Sequence, residues 1–380
     1  MTHKNLYAML APVALVFVSS LALADGDTDF PVIPHLSPSP NFSDPTPPAN
    51  GDVNPYGVAF VPKGFPSGGP LHPGDVLVAN FNNSGNLQGT GTTVVQVNSS
   101  QNPTLFFTAD SNPGLSTALG VLKSGYVIVG NVPSTPTSPG TPLGTCNVLN
   151  EDVGPGALLV IDKQGNLVKK ITSESLLAGP WDLTIKDEGQ HAKVFVSNVL
   201  TGTVTRINLE ITGDGDGDKD DRVVVKSKTQ IASGYAHRCD PAAFVVGPTG
   251  LALDRERDIL YVASTGDNAI FAIRDASDRA SDASLGELFI QDNSHLHGPL
   301  GLAIAPNGDL ITSQGDVVNP DPNQVSEIVE YTSKGRFVAE FSIDPAVGAA
   351  FGLAIVAFED GFRFAAVDDG LNVLDLWVVR

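Results

Sequence analysis

Gly247-Pro248-Thr249-Gly250-Leu251-Ala252 and Gly298-Pro299-Leu300-Gly301-Leu302-Ala303 are two versions of one phrase, a Gly-Pro turn followed by a short apolar strand built on glycine. A weaker copy, Phe351-Gly352-Leu353-Ala354-Ile355, follows, so that Gly250, Gly301 and Gly352 recur every 51 residues. Further copies lie upstream as Tyr56-Gly57-Val58-Ala59-Phe60, Leu119-Gly120-Val121-Leu122 and Trp181-Asp182-Leu183-Thr184-Ile185. Their spacing is wider because Gly/Pro/Ser/Thr-rich or acidic insertions, which read as loops, separate them.

Each start is followed, after a polar turn, by a second β-branched strand, at residues 76–79, 127–130, 194–197, 260–263, 310–313 and 364–367. A third alternating strand comes next, at 92–97, 157–161, 203–209, 269–273, 326–331 and 374–379, and most units add a fourth, such as 285–290 or 337–343. Helical periodicity is almost absent. Consecutive four-stranded units that cannot bury both faces alone predict an all-β fold, a six-bladed β-propeller of four-stranded antiparallel blades over 51–380.

The sixth unit ends at Arg380 after three strands, and an unpaired outer edge is rarely left exposed. The segment 25–50 is therefore expected to supply the missing strand through Phe30-Pro31-Val32-Ile33, followed by a Pro-rich linker to about Pro48.

Ahead of it, residues 1–24 carry Lys4, an apolar stretch and small residues at Ala22 and Ala24, which together read as a cleavable signal peptide. The apolar stretch is short for a bilayer and contains Pro12, and no second long apolar run follows, so no membrane span is expected. The protein is expected in the periplasm or secreted. The net charge of -20, one unit more negative once Lys4 is removed, opposes binding to nucleic acid. With Cys146 and Cys239 as its two cysteines and an oxidising destination, the chain is expected to form one disulfide between them.

The repeats resemble NHL repeats, carried by the Gly-Pro-x-Gly-Leu-Ala phrases above and by Asp258-Ile259-Leu260-Tyr261-Val262-Ala263 and Asn307-Gly308-Asp309-Leu310-Ile311-Thr312. That resemblance implies a propeller and leaves function open, since such propellers include lyases, lactonases, binding modules and extracellular scaffolds. Gluconolactonase and regucalcin-like propellers, similar in blade number, hold a divalent cation with a Glu, Asn and Asp set. The first inner strand here offers no Glu, which departs from that pattern.

In a propeller the second strands end on the face where the inner strands begin, called the upper face below. The six second-strand exits are Asn80, Asn131, Asn198, Ser264, Gln314 and Asp368, all polar, and Asp182 replaces an inner-strand glycine near the same mouth. Oxygen ligands converging there would orient a polar ligand or hold Ca²⁺ or another divalent cation. Short polar residues also end strands because they form turns.

His237, beside Arg238, and the pair His295 and His297 fall in loops entering units four and five, a set that could supply three imidazoles to a metal with an open position. Asp214, Asp216, Asp218 and Asp220 alternate along a loop that could hold Ca²⁺, although Lys219 and Val225 stand where an EF-hand has Gly and Glu. No G-x-S-x-G, P-loop or dinucleotide motif is present. Two readings of function follow. The first is a binding scaffold for a polar small molecule, glycan or protein; the alternative is a metal-dependent hydrolase or lyase, lactonase-like, with its site at the upper mouth.

Overall fold

A computed structural model describes residues 30–98, 102–110, 113–136, 147–148, 151–213, 222–315, 318–321 and 324–380. Six four-stranded antiparallel sheets stand in a ring, as the repeat predicts. Blade 1 runs Val53–Phe60, Val76–Asn82, Thr93–Val97, Thr104–Thr108, and blade 2 Leu115–Val121, Val127–Asn131, Ala157–Ile161, Leu167–Ile171. Blade 3 is Pro180–Asp187, His191–Asn198, Thr203–Thr212, Arg222–Ser233, and blade 4 Pro248–Asp254, Ile259–Ser264, Ala269–Arg274, Glu287–Ile290. Blade 5 is Pro299–Ile304, Leu310–Gln314, Glu327–Tyr331, Phe337–Ser342, and blade 6 Ala350–Phe358, Gly361–Asp368, Val373–Val379. Each inner strand contacts the inner strands on both sides, which closes the ring.

The core lies between blades, because the middle strands are buried on both faces and each blade must cover its neighbour. Leu122, Tyr126, Ile128 and Leu158 of blade 2, for example, pack against Leu183, Val194 and Ile207 of blade 3.

Every inner strand shifts register against its second strand near the upper end, and these irregularities fix the true alignment of the units. Leu119 pairs with Val129, as Leu251 pairs with Val262 and Leu183 with Val196. In unit two, therefore, Ala118 and not Gly120 stands where Gly57, Gly250, Gly301 and Gly352 stand. Glycine suits that position because the neighbouring backbone lies against it: a Cβ built on Gly352 falls 2.0 Å from the Tyr56 carbonyl oxygen, and one on Gly250 2.4 Å from that of Leu300.

The last blade is closed from the N-terminal side, but by a different segment from the one expected. Phe42–Pro45 is its outer strand, with Phe42 opposite Leu376 and Pro45 opposite Val373. Phe30-Pro31-Val32-Ile33 does not form a strand; Ile33–His35 is a 3₁₀ turn, pinned where both carboxylate oxygens of Glu330 accept the Val32 and Ile33 N–H groups at 2.7 Å. Pro31 and Pro34 favour such a turn by fixing φ and removing two donors. The intervening chain is held as Trp377 Nε1 donates to Ser37 O at 3.1 Å and Val378 N to Asn41 Oδ1 at 2.6 Å. Among the described residues no helix is long and apolar enough to cross a membrane.

Candidate functional site

The six second-strand exits all reach the upper face, and all are buried. Their polar heads are mostly taken up by loops of their own blades. Asn80 Nδ2 donates to Thr46 O and Thr93 Oγ1, both at 3.2 Å, and Asn131 Nδ2 donates to Pro113 O at 2.7 Å while its Oδ1 accepts Ala157 N at 2.8 Å. Asn198 Oδ1 accepts Ala178 N at 3.1 Å, Gln314 Oε1 accepts His297 N at 2.8 Å, and Asp368 Oδ1 accepts Leu371 N at 3.1 Å. Ser264 Oγ donates to Asp267 Oδ2 at 2.6 Å. Five of the six thus satisfy backbone groups that a loop carries out of its ladder. Asp368 Oδ2 has no partner among the described residues.

Asp182 lies deeper, in the wall of a central channel of about 280 Å³ that it shares with Val58, Leu119, Leu251, Leu302 and Leu353. Its Oδ2 accepts Leu251 N at 2.9 Å and its Oδ1 accepts Leu183 N at 2.8 Å, so the carboxyl ties blade 3 to blade 4 at the place where blades 1, 4, 5 and 6 use glycine. Burial pushes its pKa up to about 7 against the pull of those two N–H groups.

The histidines are held separately. Exposed His237 has Nδ1 2.9 Å from Tyr235 O, and Arg238 is paired with Asp240 at 3.0 Å. His295 Nδ1 lies 2.7 Å from Asp292 Oδ2 with its ring stacked on Phe337, while His297 Nε2 lies 3.5 Å from Asp321 Oδ2. Among the described residues no three His, Cys, Asp or Glu side chains are grouped to hold a metal. Asp214, Asp216, Asp218 and Asp220 lie outside the described residues, as does Cys146. Cys239 is half-buried in a ribbon formed by Arg238–Asp240 and Phe244–Val246, and no described cysteine is free. The strand Asn147–Val148, next to Cys146, contacts that ribbon.

What the repeat pattern did not reveal is a cavity of about 190 Å³ at the upper mouth, between the ribbon and the ring. Its lining includes Tyr56, Trp181 and Phe351, the upper residues of three inner strands, with Ala243 and Val245 from the ribbon and Val347 from the loop entering blade 6. Tyr56 is stacked between Phe81 at 4.6 Å and Phe351 at 3.9 Å, and Phe81 meets Trp181 and Phe244 edge-on, each at 5.6 Å. This aromatic layer stands across the upper end of the channel. Phe244 has φ 64, a left-handed conformation that a bulky residue adopts only when its surroundings impose it.

One corner of the cavity is polar. Asn54 and Asp369 line it, Asn54 Nδ2 lying 3.5 Å from Asp369 Oδ2, and burial, then the Asp369 charge, hold the Tyr56 phenol well above its ordinary pKa. Asp369 itself is pushed up to about 8 by burial, then by the neighbouring carboxylates of Asp368 and Asp344. Burial also carries Asp368 to about 6. Trp181 is 3% exposed, and its Nε1 donor has no partner among the described residues. A concavity that sets a few polar groups among aromatic and aliphatic walls is a common form of a small-ligand site.

Such a site on six four-stranded blades defines a propeller with a capped mouth. No family model and no curated protein matches the chain. Among solved structures it is similar to a gluconolactonase from Xanthomonas campestris, with TM-score 0.52 and 12% identity over 90% of this chain and 97% of that one. Regucalcin from Agrobacterium tumefaciens, described as calcium-binding, aligns with TM-score 0.49 and 13% identity over 88% of this chain and 91% of that one. At 12% identity the likeness to the gluconolactonase is one of fold alone, that of a β-propeller.

Proposed function

We propose that the protein is an exported, NHL-type propeller that binds a small polar ligand, or the polar end of a glycan or protein, in its upper-mouth cavity. The carrying observation is the pairing of an aromatic, capped cavity with a carboxyl set among like charges, Asp369, and an unpartnered donor, Trp181 Nε1. Buried polar groups without partners are costly, and a ligand that satisfies them recovers that cost as affinity. In this reading the leader is cleaved after Ala24, and a Cys146–Cys239 bond fastens the ribbon that roofs the cavity.

The test is a small-molecule thermal-shift screen run in parallel on wild type and Val347→Trp. Val347 is 51% exposed, so the larger ring narrows the mouth without entering the core. Compounds that raise the melting temperature of wild type and not of the variant support the reading; compounds that stabilise both equally refute it.

A second reading rests on Asp182. A channel carboxyl with a pKa near 7 suits proton transfer at neutral pH, so lactonase-like hydrolysis at the channel is the competing function. Lactone turnover abolished by Asp182→Asn, and unaffected by Val347→Trp, would favour it over mouth binding.

A further inference from the structure

We infer that the mouth cavity selects a small organic cation, an ammonium carried on a compact apolar body, with Asp369 as its counter-ion; this rests on the binding reading above. Among the described residues, the charged and titratable groups coupled to Asp369 are acidic: Asp368 on its own turn, Asp344 in the loop after the outer strand of blade 5, and the Tyr56 phenol from blade 1. In a chain that pairs Asp240, Asp254, Asp278 and Asp292 with basic partners, a carboxyl lining a cavity among like charges is a vacant counter-ion position.

The walls fit the other half of such a ligand. Phe351, Trp181 and the edge of Tyr56 present aromatic surface, and Leu300, Val245 and Val347 present aliphatic surface, so a weakly hydrated cation loses little on entering. The volume, on the order of six liquid waters, admits a head group of a few carbons around one nitrogen. A ligand anion would meet Asp369 with the charges of Asp368 and Asp344 behind it, and a wholly apolar ligand would leave Asp369 without a counter-ion.

Proton linkage makes the inference distinctive. Empty, Asp369 is largely protonated at neutral pH; a bound cation requires the carboxylate, so binding releases a proton and affinity rises with pH until about 8. A neutral ligand that accepts a hydrogen bond from the protonated acid shows the opposite trend.

Choline, whose quaternary nitrogen stays charged at every pH, and 3,3-dimethylbutan-1-ol, its neutral carbon isostere, are titrated calorimetrically into the mature protein from pH 6 to 9. Choline is expected to bind more tightly than the alcohol, with affinity rising across the range. Asp369→Asn is expected to weaken choline by about tenfold or more and to leave the alcohol unchanged. Melting curves establish that the variant folds, and Val347→Trp serves as the second variant, expected to weaken both probes. Equal binding of choline and the alcohol, or choline affinity that is flat with pH and indifferent to Asp369→Asn, overturns the cation inference while leaving a cavity that binds ligands. Loss of neither probe in Val347→Trp overturns the cavity reading itself, and no choline binding to wild type overturns the inference alone.

Discussion

At the scale of single residues, the inner-strand glycines are set by the approach of the next blade. Gly352 faces the Tyr56 carbonyl across the junction of blades 6 and 1, where the ring closes and the aromatic layer begins. Gly352→Ala is expected to destabilise the protein by about 2 kcal/mol, because a methyl group at 2.0 Å from a backbone oxygen forces the strands apart. Chemical denaturation measures this, and an unchanged midpoint would show that the junction yields. The repeat made five of the six inner positions legible. It misplaced the second, choosing Gly120 over Ala118, because a bulge shifts register without leaving a mark on composition. The aromatic layer does leave a mark in the sequence: Tyr56, Trp181 and Phe351 each immediately precede the inner-strand Gly or Asp, whereas Thr117, Thr249 and Leu300 hold that place in the other units.

At the scale of elements, the open edge of the last blade shows what pattern can and cannot locate. That a strand from the N-terminal segment must fill it follows from the missing fourth strand of unit six. Which residues fill it does not, since Phe42-Ser43-Asp44-Pro45 has one strand-favouring residue, Phe42, beside Asp44 and Pro45, and takes its conformation from the free groups of Val373–Val379. Deleting residues 1–48 is expected to lower the melting temperature well beyond deletion of residues 1–29, since only the first removes both the outer strand and the Val32–Ile33 turn on Glu330. Equal melting of the two truncations would mean that the segment contributes nothing. The proposed Cys146–Cys239 bond belongs to the same scale: reduction is expected to cost up to about 4 kcal/mol in the chain-entropy model and to weaken ligand binding by freeing the ribbon. Two alkylatable thiols in native oxidised protein would refute it.

At the scale of the whole molecule, acidity works on stability in a direction unusual for a carboxylate-rich protein. Burial raises Asp182, Asp368 and Asp369 to about 7, 6 and 8, and raises Asp44, Asp375, Glu330 and Glu340 as well. Between the unfolded carboxyl value near 4 and about 8, the folded state holds more protons than the unfolded state, so stability falls as pH rises through that window. The lowered carboxyls of Asp240, Asp254, Asp278 and Asp292 act below it, losing their contribution as pH falls under 4. The protein is therefore expected to melt higher at pH 5 than at pH 8, with a smaller difference in Asp182→Asn; a higher melting temperature at pH 8 contradicts these assignments.

The sequence made the six blades legible because each repeats a strand pattern of period two. The mouth cavity was not, since it depends on the ribbon from Arg238 to Val246 meeting inner strands far away in the chain. The second-strand exits illustrate the difference: their polarity and position are set by the repeat, while their use in holding loop backbones depends on where the loops fold back. Ligand binding at the mouth, the centre of this account, is tested most directly by hydrogen–deuterium exchange of the mature protein with and without a stabilising compound from the screen. Protection is predicted in the upper-face segments around Asn54, Ala242 to Val246 and Val347 to Phe351. Protection confined to the lower-face turns around Asp254 to Arg257 and Asn307 to Gly308 would contradict it.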